Sequence, residues 1–210
     1  RFENLHNSHL GEECYIFGDG ISIKHFDLSI FKDKISIVSN NFIFHKDYKK
    51  LNVKYYSIYE PYWFLPIFVS GLGESKILRN LIQKAQIKKF KASSKTIFFT
   101  DISNALGLRG ELIFYIEKNY FKKYIPFGNK LDLFQGSLRL QIAIALFLGF
   151  KKAHLIGHDY THKNSYNSHF YERGEGTKNN LKSWNKDFLD LASNYIDLTT
   201  VTLKGSSDTL

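Results

Sequence analysis

Small and polar residues follow almost every predicted strand of this 210-residue chain, and they are of the types that hydrogen-bond a ribose, a phosphate or a base. In chain order they are Gly18-Asp19-Gly20-Ile21-Ser22, Asn40-Asn41, Glu60-Pro61, Thr100-Asp101 and Gly157-His158-Asp159. In an open α/β sheet, ligands bind just beyond the carboxyl ends of the strands. The residue types at these positions therefore predict a site for a nucleotide-type ligand at that edge of the sheet.

The glycine turn after the first predicted strand has two interpretations. Gly18 and Gly20 would let backbone N–H groups approach a phosphate, but the third glycine of a dinucleotide fingerprint is absent. A tight turn between a strand and a helix explains the same two glycines. Asn40 is similarly open, because it can contact a ligand or only cap the segment that follows it.

Three histidines and one aspartate, His158, Asp159, His162 and His169, come close together after the strand predicted at residues 153–156. Imidazole titrates near neutral pH, so a general base or a phosphate-contacting group suits them. A zinc site is less favoured, because the stretch is loop-like and has neither cysteine nor a His-Glu-x-x-His pattern. At least one of the three histidines is expected to have no role.

The chain contains no Asp-x-Asp pattern. Enzymes that expel a nucleoside diphosphate commonly hold Mg²⁺ or Mn²⁺ with such paired carboxylates, because the leaving group carries several negative charges. Without that pattern, the leaving group is predicted to be one that protein groups alone can neutralise, such as a nucleoside monophosphate. No metal and no other cofactor is expected.

The elements that must position these residues alternate between strands and helices. Strands are predicted at residues 14–17, 35–39, 53–59, 96–100, 112–116, 153–156 and 196–203, and helical stretches at 27–32, 74–87, 137–148 and 181–192. Short apolar strands separated by helices predict an α/β fold with a single Rossmann-like, mostly parallel sheet and helices on both faces. The whole chain, residues 1–210, is predicted to be one domain.

Four segments carry more specific predictions. Residues 1–12 are expected to be a polar lead-in, residues 117–135 an irregular segment or a mobile cover, and residues 160–178 a mobile lid. The helix at 74–87 has apolar residues at helical spacing with Lys and Arg on its other face, which predicts an amphipathic helix. These apolar residues are Ile77, Leu78, Leu81, Ile82 and Ala85.

The composition limits the cell compartment and the partners. Net charge is +9, but the lysines are scattered over the chain and no nucleic-acid-binding signature accompanies them, so no nucleic acid is expected. An anionic membrane surface or an anionic small molecule can account for the charge. Cys14 is the single cysteine, and no apolar run is long enough to span a bilayer. A cytoplasmic protein, peripheral to the inner membrane, is expected; a homo-oligomer is left open.

At these same residues the chain resembles the family-42 bacterial sialyltransferases and, more distantly, the motility-accessory-factor and pterin-diphosphokinase-like proteins. Residues 15–23, YIFGDGISI, are similar to a family pattern of aliphatics followed by Gly-Asn-Gly-Pro-Ser-Leu. Residues 39–44, SNNFIF, resemble Cys-Asn-Gln-Phe-Tyr-Phe. Residues 137–160 resemble a longer series that ends in Leu-Ser-Gly-Ile-Asp-Phe. The likeness extends over about residues 13–166 and implies a variant of the GT-A glycosyltransferase fold.

The resemblance implies a role for each matching position. The phosphate and ribose would lie against Gly18, Asp19, Gly20 and Ser22. Asn40 would hold the donor, and Ser137 would contact the sugar carboxylate or the nucleotide. Glu60 stands where the family has asparagine, and Asp159 would anchor the loop after its strand. Donor binding is also expected to involve Gly157, His158 and Thr161.

The family places two tyrosines on the leaving phosphate and a histidine as the base. Tyr166 matches the second tyrosine, whereas Thr161 occupies the position of the first. The stretch that should carry the base is not uniquely alignable. His169 is the favoured base, and Glu172 and Glu175 are the carboxylate alternatives. Tyr166, Tyr171 and nearby Lys or Arg would stabilise the departing phosphate.

The function expected from the resemblance is an inverting, metal-independent glycosyltransferase. Its donor would be a CMP-activated acidic sugar, sialic acid or a related one, because the departures from the family pattern lie at donor-contacting positions. Its acceptor would be a bacterial surface glycan or glycolipid, such as lipopolysaccharide or capsule. A pterin-type diphosphokinase and a non-catalytic nucleotide-sugar-binding protein are the alternatives.

Overall fold

The computed structural model of the protein describes residues 2–65, 76–93, 95–159, 166–174, 177–178 and 185–203. Its centre is a sheet of seven strands in which every neighbouring pair runs parallel. In chain order these strands are β1 (Glu13–Phe17), β2 (Ile35–Ser39), β3 (Asn52–Ile58), β4 (Ile97–Asp101), β5 (Ile113–Ile116), β6 (Lys152–Ile156) and β9 (Asp197–Val201). Two further short strands, β7 (Tyr166–Asn167) and β8 (Thr177–Lys178), form a separate antiparallel pair.

The central strands of the sheet are buried on both faces, which explains why their sequences are largely apolar instead of alternating. In β3, Tyr55 packs into one hydrophobic core and Tyr56 into the other. Ile37 and Val38 divide in the same way along β2. Parallel strands covered on both faces are typical of α/β proteins. The predicted α/β fold with a Rossmann-like sheet is confirmed.

Four α-helices are described: α1 (Lys76–Lys91), α2 (Lys118–Lys122), α3 (Ser137–Leu148) and α4 (Lys186–Ala192). Helix α3 is buried at every position after Ser137, as its nearly continuous apolar sequence predicts. It ends at Gly149, which has the left-handed φ of 85° that a glycine adopts most readily. None of the helices in the described ranges is both long and apolar enough to cross a bilayer.

Two segments are more firmly packed than predicted. Residues 117–135 contain little regular structure apart from α2, but they are not only a cover, because their apolar side chains belong to the core that surrounds α3. The buried members are Phe121, Ile125, Phe127, Leu133 and Phe134. The lead-in also packs, since His9 is buried and its Nε2 lies 2.7 Å from the hydroxyl of Tyr55.

Helix α1 turns the face that the sequence marks as apolar toward solvent. Leu78 is 50% exposed and Leu81 is 60% exposed, whereas Gln86 and Phe90 are 3% and 6% exposed. Gln86 is buried because its amide accepts a hydrogen bond from Trp63 Nε1 and donates to the carbonyl of Asn40. Polar contacts of one glutamine, together with the packing of Phe90, thus decide which face of the helix meets the sheet.

The strand order is β5-β4-β3-β2-β1-β6-β9. The side of the sheet to which the chain adds strands therefore changes between β1 and β6. From β1 the chain builds the sheet outward on one side to β5, and then returns to add β6 and β9 on the other side. Connections that diverge in this way leave a crevice at the carboxyl ends of the two strands. Gly18 follows β1 and Gly157 follows β6, so both lie at this crevice.

The segment predicted to be a lid, residues 160–178, is described only at 166–174 and 177–178. Its described part lies on the glycine turn: Gly20 and His169 form an isolated antiparallel bridge, and the N–H of Phe170 donates to the carbonyl of Asp19. Movement of the segment as a lid stays a prediction.

Candidate active site

A cavity of about 580 Å³ lies at the switch point between β1 and β6. Eleven of the residues singled out from the sequence line it. They are Gly18, Asp19, Gly20, Asn40, Asn41, Glu60, Ser137, Gly157, His158, His169 and Tyr171. The end of each strand from β1 to β3, the end of β6 and the start of α3 therefore face one volume, as the strand-end rule predicts. A cavity of this size can hold a ligand of nucleotide size.

The glycine turn is required by the close approach of β1 and β6. The N–H groups of Gly18 and Gly20 donate to the carbonyls of Ile156 and Gly157 at 2.8 and 2.9 Å. A Cβ on Gly18 would lie 2.6 Å from the Gly157 carbonyl oxygen, and one on Gly20 would lie 2.5 Å from it. The strand-to-helix-turn interpretation thus explains both glycines, and their N–H groups are already used within the protein.

Asp159 and Ser22 join the two sides of the crevice and are not among the residues that line the cavity. The buried carboxylate of Asp159 accepts from the backbone N–H of Ser22 at 2.8 Å and from its hydroxyl at 2.5 Å. A carboxylate that accepts two hydrogen bonds holds the turn in a fixed position relative to β6. Both residues lie behind the cavity lining. The resemblance makes Asp159 an anchor for the loop after its strand, whereas it places Ser22 at the phosphate and ribose of the donor.

Asp19 points its carboxyl group into a poorly solvated position beside the cavity. Burial and the nearby Glu60 carboxylate raise the pKa of Asp19 to about 8, although the Asn41 N–H, 3.3 Å from Oδ2, favours the charged form. Among the described residues, no hydrogen-bond partner reaches its buried Oδ1. At neutral pH the group is therefore mostly a neutral acid, which can donate a proton to a ligand hydrogen bond.

Asn40 and Ser137 bring the end of β2 to the first turn of α3. The Asn40 side-chain amide donates to the Ser137 hydroxyl at 2.5 Å, and Tyr56 and Gln86 both donate to the Asn40 carbonyl. Asn40 has a φ of 45°, a left-handed conformation that asparagine tolerates better than most residues. Its main chain and its side chain are thus both fixed, which pre-positions the amide at the cavity.

The N-terminus of α3 opens into the same cavity, where Gly136, Ser137 and Leu138 are lining residues. The first N–H groups of a helix have no partner within the helix, and the helix dipole adds partial positive charge there. No side chain caps this end, because the N-cap residue is Gly136. The end of this twelve-residue helix is therefore suited to a phosphate or a carboxylate.

His169 lies at the cavity and is held by a carboxylate. Its Nδ1 lies 2.6 Å from Glu172 Oε1, and the other carboxylate oxygen of Glu172 accepts from Ser168 at 2.6 Å. These two hydrogen bonds are the main reason that the pKa of Glu172 is lowered, so the carboxylate is ionised at neutral pH. An ionised partner at Nδ1 holds the proton there and leaves the lone pair of the neutral ring on Nε2.

Further contacts fix the turn that carries this pair. Lys24 donates to the carbonyls of Glu172 and Gly174, at 2.8 and 3.1 Å. The Tyr171 ring stacks on the His169 ring, with centroids 5.0 Å apart. Tyr171 also lines the cavity, and burial raises its pKa, so its hydroxyl remains a proton donor at neutral pH.

The charge of the described lining differs from the prediction that Lys or Arg would meet the phosphate. Asp19 and Glu60 line the cavity, but no Lys or Arg belongs to the described residues that do so. His158 and His169, together with the α3 terminus, are the groups there that can offset negative charge. Within the described ranges, no group of three or more His, Cys, Asp or Glu residues is arranged to hold a metal ion.

Three of the predicted site residues cannot be placed. Thr161 and Glu175 lie outside the described residues, and so does His162. Tyr166 is described only through its backbone, which pairs with Lys178 in the β7–β8 ribbon. Their roles remain predictions.

Several lining residues were not singled out as site residues from the sequence. They are Ser39, Ile58, Trp63, Gln86, Gln135, Gly136, Leu138 and Asn185. Gly136 adjoins the predicted site residue Ser137, so a helix-start rule could have included it. Gln86 and Trp63 carry no local signal, because a helix and a poorly patterned segment meet here only in the tertiary structure.

No protein-family model and no curated protein matches this chain significantly. Among solved structures, the fold is similar to that of the sialyltransferase CstII from Campylobacter jejuni, which was determined in complex with a substrate analogue, cytidine-5′-monophosphate. The superposition has a TM-score of 0.57 at 19% identity, and it covers 92% of this chain and 81% of the other. At this level of identity the similarity concerns the fold: the chain is built on the same α/β architecture as that enzyme.

Proposed function

We propose that the protein is an inverting, metal-independent glycosyltransferase that transfers a CMP-activated acidic sugar to a bacterial surface glycan. The observation that carries this proposal is the convergence, at one cavity, of a carboxylate-held imidazole and an uncapped helix N-terminus. His169 and Glu172 provide the first, and Gly136 and Ser137 begin the second. The architecture shared with a sialyltransferase agrees with the proposal.

In the proposed reaction, His169 acts as the general base. Its Nε2 takes the proton of an acceptor hydroxyl, and the hydroxyl oxygen attacks the anomeric carbon on the face opposite the phosphate. The bond between that carbon and the phosphate oxygen breaks, CMP departs with the electron pair, and the configuration is inverted. A positioned base typically contributes ~10²–10⁴-fold. Ionised Glu172 stabilises the imidazolium as it forms.

The charge that develops on the CMP phosphate is balanced by neutral donors and one helix terminus. The N–H groups of the first turn of α3, together with the Ser137 hydroxyl, can receive the phosphate or the sugar carboxylate. His158 and Tyr171 line the same cavity. The resemblance adds Tyr166 as a further donor to the phosphate. A monophosphate leaving group needs less neutralisation than a diphosphate, which is why no metal is required.

A thermal-shift experiment separates this function from its rivals. We expect CMP to raise the melting temperature, with UDP, GDP and ATP giving smaller shifts, because at equal concentration a ligand that binds the folded state more tightly stabilises it more. The CMP shift should be the same in excess EDTA and in Mg²⁺. Turnover is then measured with CMP-N-acetylneuraminate and related CMP-sugars, and sugar transfer should survive the chelator.

Two results would contradict the proposal. Stabilisation by ATP alone, with activity that depends on Mg²⁺, would favour a diphosphokinase. Binding of CMP without turnover of any CMP-sugar, with or without a glycan acceptor, would favour a nucleotide-sugar-binding protein that has no catalytic role.

A further inference from the structure

The exposed face of α1 has an unusual distribution of residues. Leu78, Leu81, Ile82 and Ala85 follow the spacing i, i+3, i+4, i+7, so they form one stripe along the helix. Leu78 and Leu81 are among the exposed large hydrophobic residues, while Ile82 and Ala85 are partly buried. The stripe does not form the core contact of the helix, since that contact is made through Gln86 and Phe90.

Lysines border this stripe along one side and at its C-terminal end. Lys84 and Lys88 are exposed and lie along one side of it, and Lys89, also exposed, continues its line beyond Ala85. The helix contains no acidic residue. An apolar strip bordered by lysines is the pattern of a helix that lies in the plane of a membrane interface, where leucines enter the acyl boundary and lysines reach the headgroups.

We infer that the exposed face of α1 docks the protein onto an anionic lipid surface. The charge of the face matches that of an anionic headgroup layer, and the whole chain carries a net charge of +9. The exposed leucines supply the apolar contact that a purely electrostatic attachment lacks.

A second copy of the chain fits this face less well. Two copies that met through the same face would oppose their own Lys84 and Lys88 side chains, and both carry the same large positive charge. Two leucines and their neighbours also present a narrow strip, whereas a specific dimer commonly buries at least ~1,000 Å² in total. Insertion into a bilayer boundary requires no such complementary area.

The same helix forms part of the cavity wall. Gln86 lines the cavity, and Arg79 donates to the carbonyls of Tyr62 and Trp63, of which Trp63 is also a lining residue. A docked α1 would hold the cavity within about one helix diameter, ~10 Å, of the headgroups. Docking at this distance would bring a lipid-linked acceptor to the cavity, and that consequence rests on the proposed function. The inference that α1 docks on lipid does not depend on the proposed function.

Vesicle co-sedimentation of the full chain tests the inference. We expect binding to vesicles of 30% phosphatidylglycerol in phosphatidylcholine, and at least tenfold weaker binding to phosphatidylcholine alone. Lys84→Gln/Lys88→Gln should weaken low-salt binding roughly 30-fold. Leu78→Ser/Leu81→Ser should abolish the fraction that stays bound in 0.5 M NaCl, because that fraction depends on apolar insertion.

Matched variants control for charge and for exposure. Lys32→Gln/Lys49→Gln removes two exposed lysines elsewhere, and Leu10→Ser/Ile30→Ser removes two exposed apolar side chains elsewhere. Both should bind vesicles as the parent does, and all variants should keep its melting temperature and CMP binding. Equal loss in the control pairs would overturn the inference, as would unchanged binding in the α1 pairs.

Light scattering tests whether a second copy of the chain covers this face. A dimer in solution that becomes a monomer in Leu78→Ser/Leu81→Ser would assign the face to a second copy and overturn the lipid assignment. Vesicle binding that persists in a chain without transferase activity would leave this inference intact while the proposed function fails.

Discussion

One group of residues at the cavity can exchange protons, whereas the other holds its geometry with amides and hydroxyls that do not titrate. The first, the acid–base set, consists of Asp19, His169 and Glu172. The second, the amide set, consists of Asn40, Gln86 and Ser137. The acid–base set is clustered around the glycine turn, and the amide set joins β2 to α1 and α3.

The difference indicates that the two sets have different roles, one in the chemical step and one in donor binding. Groups that move protons act on the rate of the chemical step, because their effect is largest in the transition state. Groups fixed in place before the ligand arrives act mainly on its binding. Changes in the acid–base set should therefore alter kcat, while changes in the amide set should alter donor affinity.

The largest expected effect comes from removing the imidazole. His169→Ala should lower kcat by at least ~10²-fold with little change in CMP affinity, because a base acts in the transition state. Steady-state kinetics with a CMP-sugar donor, beside CMP binding by thermal shift, measure the two quantities. Near-normal kcat in this variant, beside an inactive Glu172→Gln or Glu175→Gln enzyme, would assign the base to a carboxylate.

The next effect concerns the amide set. Asn40→Gly keeps the left-handed backbone accessible but removes the amide that bonds Ser137, so CMP affinity should fall about tenfold, with a smaller change in kcat. Ser137→Ala is the matched variant from the other partner and should give a similar loss. Unchanged CMP affinity in both variants, or a loss confined to kcat, would erase the distinction between the two sets.

A smaller effect should follow from Glu172→Gln. The amide can still accept a hydrogen bond from His169 Nδ1 but carries no charge, so it stabilises the forming imidazolium less; kcat should fall about tenfold. The donor KM and the melting temperature should hardly change, because Glu172 is about half exposed. A raised KM with unchanged kcat would show that Glu172 belongs to donor binding instead.

The smallest effect is on stability and depends on pH. The pKa of Asp19 is raised to about 8 in the folded protein, above its ordinary value of 3.8, so the folded state binds more protons than the unfolded state between these values. The contribution of this proton to the free energy of unfolding is fully present below pH ~4 and is lost as the pH rises through 8. Asp19→Asn should therefore raise the melting temperature most at pH 8 and above, and least near pH 4.

Thermal unfolding of both proteins across pH 4–9 measures this difference. Asp33→Asn changes an exposed carboxylate and serves as the control, which should show no such trend. If the melting temperatures of Asp19→Asn and the parent differed by the same amount at every pH, Asp19 would be ionised throughout this range. It would then belong with the groups that do not exchange protons.

The sequence alone determined the sheet, helix α3 and the location of the cavity. Runs such as residues 14–17 and 35–39 are too short and too apolar for another element, and Gly149 marks the end of α3 by its conformational freedom. Because parallel strands end at one edge of a sheet, most of the small and polar residues after them could be grouped without knowledge of any distance, although Thr100 and Asp101 after β4 do not line the cavity.

Only the tertiary structure decided which faces and which partners these elements use. Periodicity shows that Leu78 and Leu81 share a face of α1, but it cannot show that Gln86 and Phe90 are the residues that meet the sheet. Likewise, Asp159 reaches Ser22 across 137 positions of the chain. Such contacts depend on residues far away in sequence, whose approach is fixed by the packing of the whole sheet, and no local pattern records them.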